Sequence, residues 1–295
     1  KVTQMENIAL FELLAASPLA FVITTFCISL LVGSFLNVVI YRLPIMMERE
    51  WQRDIEQFQN PDKELPPAPT FNLVKPDSTC PNCQHKIRAW ENIPVISWLM
   101  LGRKCSGCAN PISARYPAVE LLTAVMSAVV AYQLGFGLTG AAFILGTWLL
   151  VAMTFIDLDK MLLPDSLTLL LLWIGLGISC FDSTISPIDS IIGAIIGYLI
   201  LWSIYWAFKL LTGKEGMGYG DFKLLAALGA WVGWQHLPII ILLSSVVGAV
   251  VGITLMFIKK KDSNLAIPFG PYLAAAGWLT MLYGDLIADW YLSTL

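Results

Sequence analysis

Eight blocks of apolar residues, most of them close to the length that crosses a bilayer, constrain this chain more than any other feature. They run at about 20–40, 117–134, 138–156, 165–181, 189–210, 222–236, 237–258 and 268–286. A helix needs roughly 20 apolar residues to span ~30 Å of hydrocarbon. The chain is 57% hydrophobic and 13% charged, with a mean hydropathy of +0.71; a soluble domain carries about 25% charged residues. The expected fold is therefore an all-α polytopic membrane protein with about eight transmembrane helices. The sixth block is short and holds Gly229, Gly233 and His236, so its boundaries are the least defined. The opening residues are not expected to form a signal peptide, because Glu6 and Glu12 outweigh Lys1 and no basic stretch precedes the apolar run.

Basic residues orient the expected bundle. With the N-terminus outside and eight crossings, the inner segments are 41–116, 157–164, 211–221 and 259–267, each with a few residues of helix end. They take 17 of the 18 Lys and Arg residues, leaving only Lys1 outside. This matches the positive-inside rule and places the long polar segment 41–116 in the cytoplasm, with Lys259-Lys-Lys261 as an orientation anchor. The formal net charge of −3 says little about partners; membrane lipid is expected and nucleic acid is not. Gly193-x3-Gly197, Gly229-x3-Gly233 and Gly248-x3-Gly252 have the spacing that lets helices approach closely.

Within 41–116, residues 45–79 are charged and rich in proline (Pro61, Pro66, Pro67, Pro69, Pro76), which predicts irregular or partly helical structure. Cys80-Pro-Asn-Cys83 and Cys105-Ser-Gly-Cys108 follow. Two such knuckles can place four thiolates tetrahedrally around one Zn²⁺. Two disulfides are the alternative, which a reducing cytoplasm disfavours. Four thiolates leave no open position for water, so the metal is read as structural, stapling a loop with too small a core of its own. His85 is read as a bystander, and Cys27 and Cys180 as small apolar residues within the membrane blocks.

Acids at membrane depth are costly, about 2.5–3.5 kcal/mol for an Asp at a helix centre on insertion scales. Two segments nevertheless bring acids to the inner edge. Asp157 closes the third block, in Phe155-Ile-Asp-Leu-Asp-Lys-Met-Leu-Leu-Pro-Asp165, and Asp221 opens the sixth, after Gly216-Met-Gly-Tyr-Gly220. Two carboxylates at one site cannot both ionise cheaply, so the pair shares a proton. One can then take a proton from water while the other polarises a carbonyl, the division of labour of an aspartic protease. Gly218 and Gly220 support the site by letting backbone pass close to an extended peptide. Simpler readings stand beside these. Asp221 at a helix N-terminus can act as a cap, as can Asp165. Asp159 is solvated or a support for the site, and Glu120 is a buried polar or cap-region residue.

These stretches carry a family resemblance. The chain resembles the bacterial type IV prepilin peptidases, the bifunctional leader peptidase and N-methyltransferase family of the GxGD aspartic proteases. The likeness runs through Gly33-Ser-Phe-Leu-Asn-Val-Val-Ile-Tyr-Arg-Leu-Pro44, both cysteine knuckles, Trp90-Glu-Asn-Ile-Pro94 and Ser113-Ala-Arg-Tyr-Pro-Ala-Val-Glu120. It continues through the Asp157–Asp165 segment, Gly218-Tyr-Gly-Asp221 and Pro268-Phe-Gly-Pro-Tyr272. The resemblance implies Asp157 and Asp221 as the catalytic pair, and prepilins and pseudopilins of type IV pilus or type II secretion systems as substrates. Their short basic leader ends in a glycine at the cut, before a hydrophobic helix that starts with Phe. It also implies methylation of the new N-terminus with S-adenosylmethionine as donor, associated with 41–116. No glycine-rich nucleotide fingerprint is present there, so no donor-binding residues are named. Acidic residues of the loop (Glu48, Glu50, Asp54, Glu56, Asp62, Glu64) either attract the leader or are simply solvated.

The expected organisation is an N-terminal segment and first helix at 1–40, a cytoplasmic zinc-binding domain at 41–116 and a seven-helix membrane protease domain at 117–295, in the bacterial inner membrane. An ion-coupled transporter and a zinc-bearing membrane scaffold are the rival classes. Transporters carry acids near the midplane in paired repeats, and a scaffold leaves the two aspartates without a task.

Overall fold

Every apolar block folds as a helix, because in hydrocarbon each backbone N–H and C=O must find its partner within the segment. In the computed structural model, residues 12–62, 66, 70–181, 185–259 and 267–293 are described. Lys1, Glu6, Lys63, Glu64, Pro67, Pro69, Lys260, Lys261 and part of the outer turn at 182–188 lie outside the described residues. The long helices are α1 (Pro18–Gln59), α2 (Arg115–Leu134), α3 (Leu138–Lys160), α4 (Asp165–Ser179), α5 (Pro187–Thr212), α6 (Tyr219–Val232), α7 (Leu237–Lys259) and α8 (Gly270–Ser293). No strand occurs among the described residues; two isolated antiparallel bridges, Thr79 with Lys86 and Lys104 with Pro111, belong to the cysteine module.

Five of the helical segments are long and apolar enough to cross a membrane: α1, α2, α3, α5 and Trp234–Ile258. The helix α4 is apolar but short. The helix α6 has 14 residues, about 21 Å at 1.5 Å per residue, which falls short of the bilayer core. It sits where a short helix is tolerable, packed among α4, α5 and α8, with every residue from Leu224 to Val232 buried. Gly233, at φ 76°, ends it in a conformation that glycine adopts without strain, and a 3₁₀ turn, Trp234–His236, leads into α7.

Glycines make that packing possible. A Cβ on Gly193 of α5 would strike the carbonyl of Gly229 of α6, and the reverse holds equally. A Cβ on Gly197 would lie 2.6 Å from the Leu225 carbonyl oxygen. Two of the three small-residue motifs thus face each other across one helix pair, and Ser190 Oγ donates to the Ala230 carbonyl at 2.6 Å beside them. The third motif also meets another element, with Gly248 against Tyr272 and Gly252 against Ile267.

The helix α1 decides between the two readings of 45–79 in favour of partly helical structure. It runs without interruption through Pro44 to Gln59, about 63 Å in all, so 45–59 is a charged helical extension rather than irregular chain. Arg42 on this helix donates to the carbonyls of Asn72 at 2.9 Å and Pro76 at 2.7 Å. Phe71 lies under both the Arg42 and Arg49 guanidinium groups. Arg42 and Arg49 therefore fasten the next segment to α1.

Candidate functional site

The acids come from three helix ends: Asp157 and Asp159 at the end of α3, Asp165 at the start of α4 and Asp221 in the first turn of α6. The last turn of α3 carries Asp157, whose backbone carbonyl accepts the Met161 N–H at 2.8 Å; Met161 then leaves the helix at φ 52°. Pro164 lacks an N–H and has extended backbone, so the chain breaks there and α4 starts at Asp165. Gly218 caps α6 with extended backbone and places Asp221 at the third helical position. The Asp221 N–H donates to the Gly218 carbonyl at 3.2 Å.

Asp157 and Asp221 are 5% and 7% exposed and 64 positions apart in the chain. Leu163, from the turn after α3, packs against Gly220, the neighbour of Asp221, and against Gly270, which also borders the Asp157 carboxylate. A Cβ on Gly220 would sit 2.7 Å from Leu163 Cβ, and one on Gly270 would sit 3.1 Å from Leu163 Cδ1. This refines the role of the two glycines before Asp221. The bare face of Gly220 is filled by Leu163, so it serves packing. Gly218 is open: a Cβ there would meet only Asp221 Oδ2 at 3.9 Å and the Gly220 nitrogen at 4.0 Å. Of the pair, only Gly218 leaves room for a peptide.

Neighbouring acids have definite partners. Asp165 caps no amide; both of its oxygens lie 2.7 Å from Lys223 Nζ. Asp159 takes Arg115 through two nitrogens, at 2.7 and 2.6 Å. It is thus a support, joining the start of α2 to the end of α3. Since Arg115 directly follows the cysteine module, that module and the aspartate-bearing end of α3 are on the same side of the bundle. Buried Glu120 accepts the Val95 N–H at 2.8 Å, and a Cβ on Gly33 would meet its Cα at 2.8 Å. It ties α1, α2 and the turn that opens the single-turn helix Ile96–Met100 into one joint.

The four cysteines converge. The sulfurs of Cys80, Cys83, Cys105 and Cys108 all lie within 4.8 Å of one another, with Cys80 to Cys108 and Cys83 to Cys105 at 3.9 Å each. Four thiolates ~2.3 Å from a tetrahedral Zn²⁺ stand about 3.8 Å apart, so the set fits that metal. None of the six cysteines is in a disulfide. The knuckles repeat one backbone plan. The N–H of Cys80 donates to the His85 carbonyl and that of Cys105 to the Asn110 carbonyl, both at 2.9 Å. The residue after each second cysteine, Gln84 or Ala109, has φ near 60°.

His85 stands outside the cluster of four cysteines, yet it is more than a bystander. Its Nε2 lies 3.1 Å from both Glu91 Oε2 and Ser106 Oγ, and Ser106 Oγ donates to Glu91 Oε1 at 2.6 Å. The Arg88 amide, with Ser106 and His85 beside it, holds the Glu91 carboxyl down at about 2. Glu91 thereby links both knuckles. Its place in Trp90-Glu-Asn-Ile-Pro94 was the only sequence signal for it.

Comparison with known proteins adds to this geometry. Residues 27–134 match the model of the bacterial peptidase A24 N-terminal domain, and residues 143–253 match that of the type IV leader peptidase family. A prepilin leader peptidase/N-methyltransferase of Aeromonas hydrophila is 59% identical over 284 residues, 96% of this chain and 98% of that one. The protein of that name from Pseudomonas aeruginosa is 55% identical, covering 96% and 97%, and that from Dichelobacter nodosus 52%, covering 88% and 91%. No solved structure matches the chain.

Proposed function

The chain belongs to the type IV leader peptidase family, and on that premise we propose how it removes the leader of a prepilin and methylates the amine so exposed. It is a prepilin peptidase and N-methyltransferase. Asp157 and Asp221 form the catalytic pair, and the observation that carries this reading is their common burial, with Leu163 packed against Gly220 beside one acid and against Gly270 beside the other.

Hydrolysis needs one proton on the pair. The ionised carboxylate takes a proton from water as its oxygen bonds to the scissile carbonyl carbon, and the protonated acid gives its proton to the carbonyl oxygen. When the tetrahedral carbon collapses, the C–N bond breaks and the nitrogen receives a proton from the pair. The leader leaves with a C-terminal carboxylate, and the pilin with a free amine. Gly218, open on its outer face, supports an approach of extended substrate backbone.

All eight helices cross the inner membrane, the short α6 shielded by its neighbours, with the N-terminus outside and the cysteine module in the cytoplasm. The count of basic residues supports this orientation. The scissile bond of a prepilin or pseudopilin, lying where a basic leader meets an apolar helix, then falls at the depth of the aspartates. The division into 1–40, 41–116 and 117–295 follows the same logic. Cys80, Cys83, Cys105 and Cys108 hold one structural Zn²⁺. S-adenosylmethionine supplies the electrophilic methyl group when bound; the part of the 41–116 module is to present the new amine beside it, and the donor's seat is not assigned to named side chains. The names of the relatives favour this reading over a transporter or scaffold.

The test is incubation with a synthetic prepilin and labelled methyl donor, read by mass spectrometry for leader loss and mass gain. Asp157→Asn and Asp221→Asn, made singly, are each expected to block cleavage while a pre-cut pilin is still methylated. Cleavage retained in either variant removes that residue from the mechanism.

A further inference from the structure

Resting on the assignment of Asp157 as one of the catalytic pair, we infer that the backbone amide of Gly270 is a positioning donor for that carboxylate, making the start of α8 a third wall of the active site. The Gly270 N–H donates to Asp157 Oδ2 at 3.0 Å in a buried contact between residues 113 positions apart. The other oxygen, Oδ1, takes no bond from a described side chain or amide, so the Gly270 bond fixes the rotamer and turns Oδ1 to the work.

The local sequence is suited to this task. The first amides of a helix have no partner within it. In α8 the N–H groups of Tyr272 and Leu273 both donate to the Phe269 carbonyl, at 3.1 and 3.2 Å. Pro271 has no N–H. Gly270 is therefore the first-turn amide left to point out of the helix, and Asp157 receives it. The positive end of the helix lies against the same carboxylate. Glycine is required sterically as well: a Cβ at position 270 would stand 2.6 Å from Asp157 Oδ2 and 3.2 Å from its Cγ. Each residue of Phe269-Gly-Pro271 thus has a part, as acceptor for the first turn, as donor to the acid, and as a position without a competing donor.

Gly270→Ala should displace the carboxylate and reduce kcat for prepilin cleavage on the order of 100-fold, the usual cost of a misplacement near 1 Å. KM should change little, and methylation of a pre-cut pilin should persist, which reports that the protein is folded. A second variant removes the donor without adding an atom: glycolic acid incorporated at position 270 by cell-free synthesis, an amide-to-ester change. It should lower kcat and displace the acid limb of the pH–rate profile for cleavage. That limb would not move if Gly270 mattered only for packing. If Gly270→Ala loses methylation too, the ester variant decides. Wild-type kcat and pH profile in the ester variant overturn the inference. Should Asp157→Asn keep cleaving, the catalytic assignment itself fails; should it be inactive while the ester variant is normal, only the role of Gly270 falls.

Discussion

Lys223 Nζ stands 2.7 Å from each carboxylate oxygen of Asp165, joining α6 two residues after Asp221 to α4 at its first residue. The pair bridges the two aspartate-bearing segments. Its side chains are 32% and 56% exposed, so it adds at most about 1 kcal/mol to stability. Lys223→Met and Asp165→Asn should therefore leave thermal unfolding nearly unchanged and lower kcat a fewfold by loosening the register of α6. The exchanged pair Lys223→Asp with Asp165→Lys should recover much of the loss. Equal loss in the exchanged pair would mean that each residue acts separately.

Gly218 and Gly220 should respond differently to alanine. At Gly220 the added methyl meets Leu163 Cβ at 2.7 Å, an overpacking that costs roughly 1–3 kcal/mol. Leu163→Ala keeps the offending Cβ and should not rescue it, whereas Leu163→Gly should do so in part. Gly218→Ala meets nothing closer than 3.9 Å, so its unfolding should match the parent and its defect should appear as a raised KM for prepilin. Unfolding curves in detergent, with steady-state cleavage, separate the two.

The cysteine module should hold one Zn²⁺ per chain, lost when Cys80 and Cys108 are both changed to Ser. Glu91→Ala should keep all four ligands but free both His85 and Ser106. Loss of such an outer partner typically weakens metal affinity 10–100-fold. Metal analysis and transfer to a chelator measure this, and unchanged chelator kinetics would deny Glu91 that part.

Close helix contact makes a further prediction. Gly193→Leu places a large side chain against the Gly229 backbone, separating α5 from the helix that carries Asp221. Both stability and cleavage should fall together, while Gly177→Leu, at a position with open space around it, should be tolerated. The unfolding midpoints of the two variants test this directly.

Much of this was legible in the sequence, and the residues show where legibility ends. Apolar run length located all eight helices, and charge made Asp157 and Asp221 conspicuous because acids are so costly at that depth. Cysteine spacing marked a metal set. The pairings were hidden. Nothing in local pattern joins Lys223 to Asp165 across 58 positions or Gly270 to Asp157 across 113, since such contacts are fixed by how helices pack. The reading of 45–79 as irregular or partly helical left open how far α1 runs past Pro44, and the Leu163 contact was hidden by the expectation that both glycines faced substrate.

The central claim is that Asp157 and Asp221 act as one unit on one peptide bond. It is tested most directly by kcat for prepilin cleavage in Asp157→Asn, Asp221→Asn and the double variant. Residues acting as a unit give strongly non-additive losses. Each single change should cost on the order of 10⁴-fold or more, and the double no more than the worse single. Losses that multiply, or near-parental cleavage in either single variant, would contradict the account.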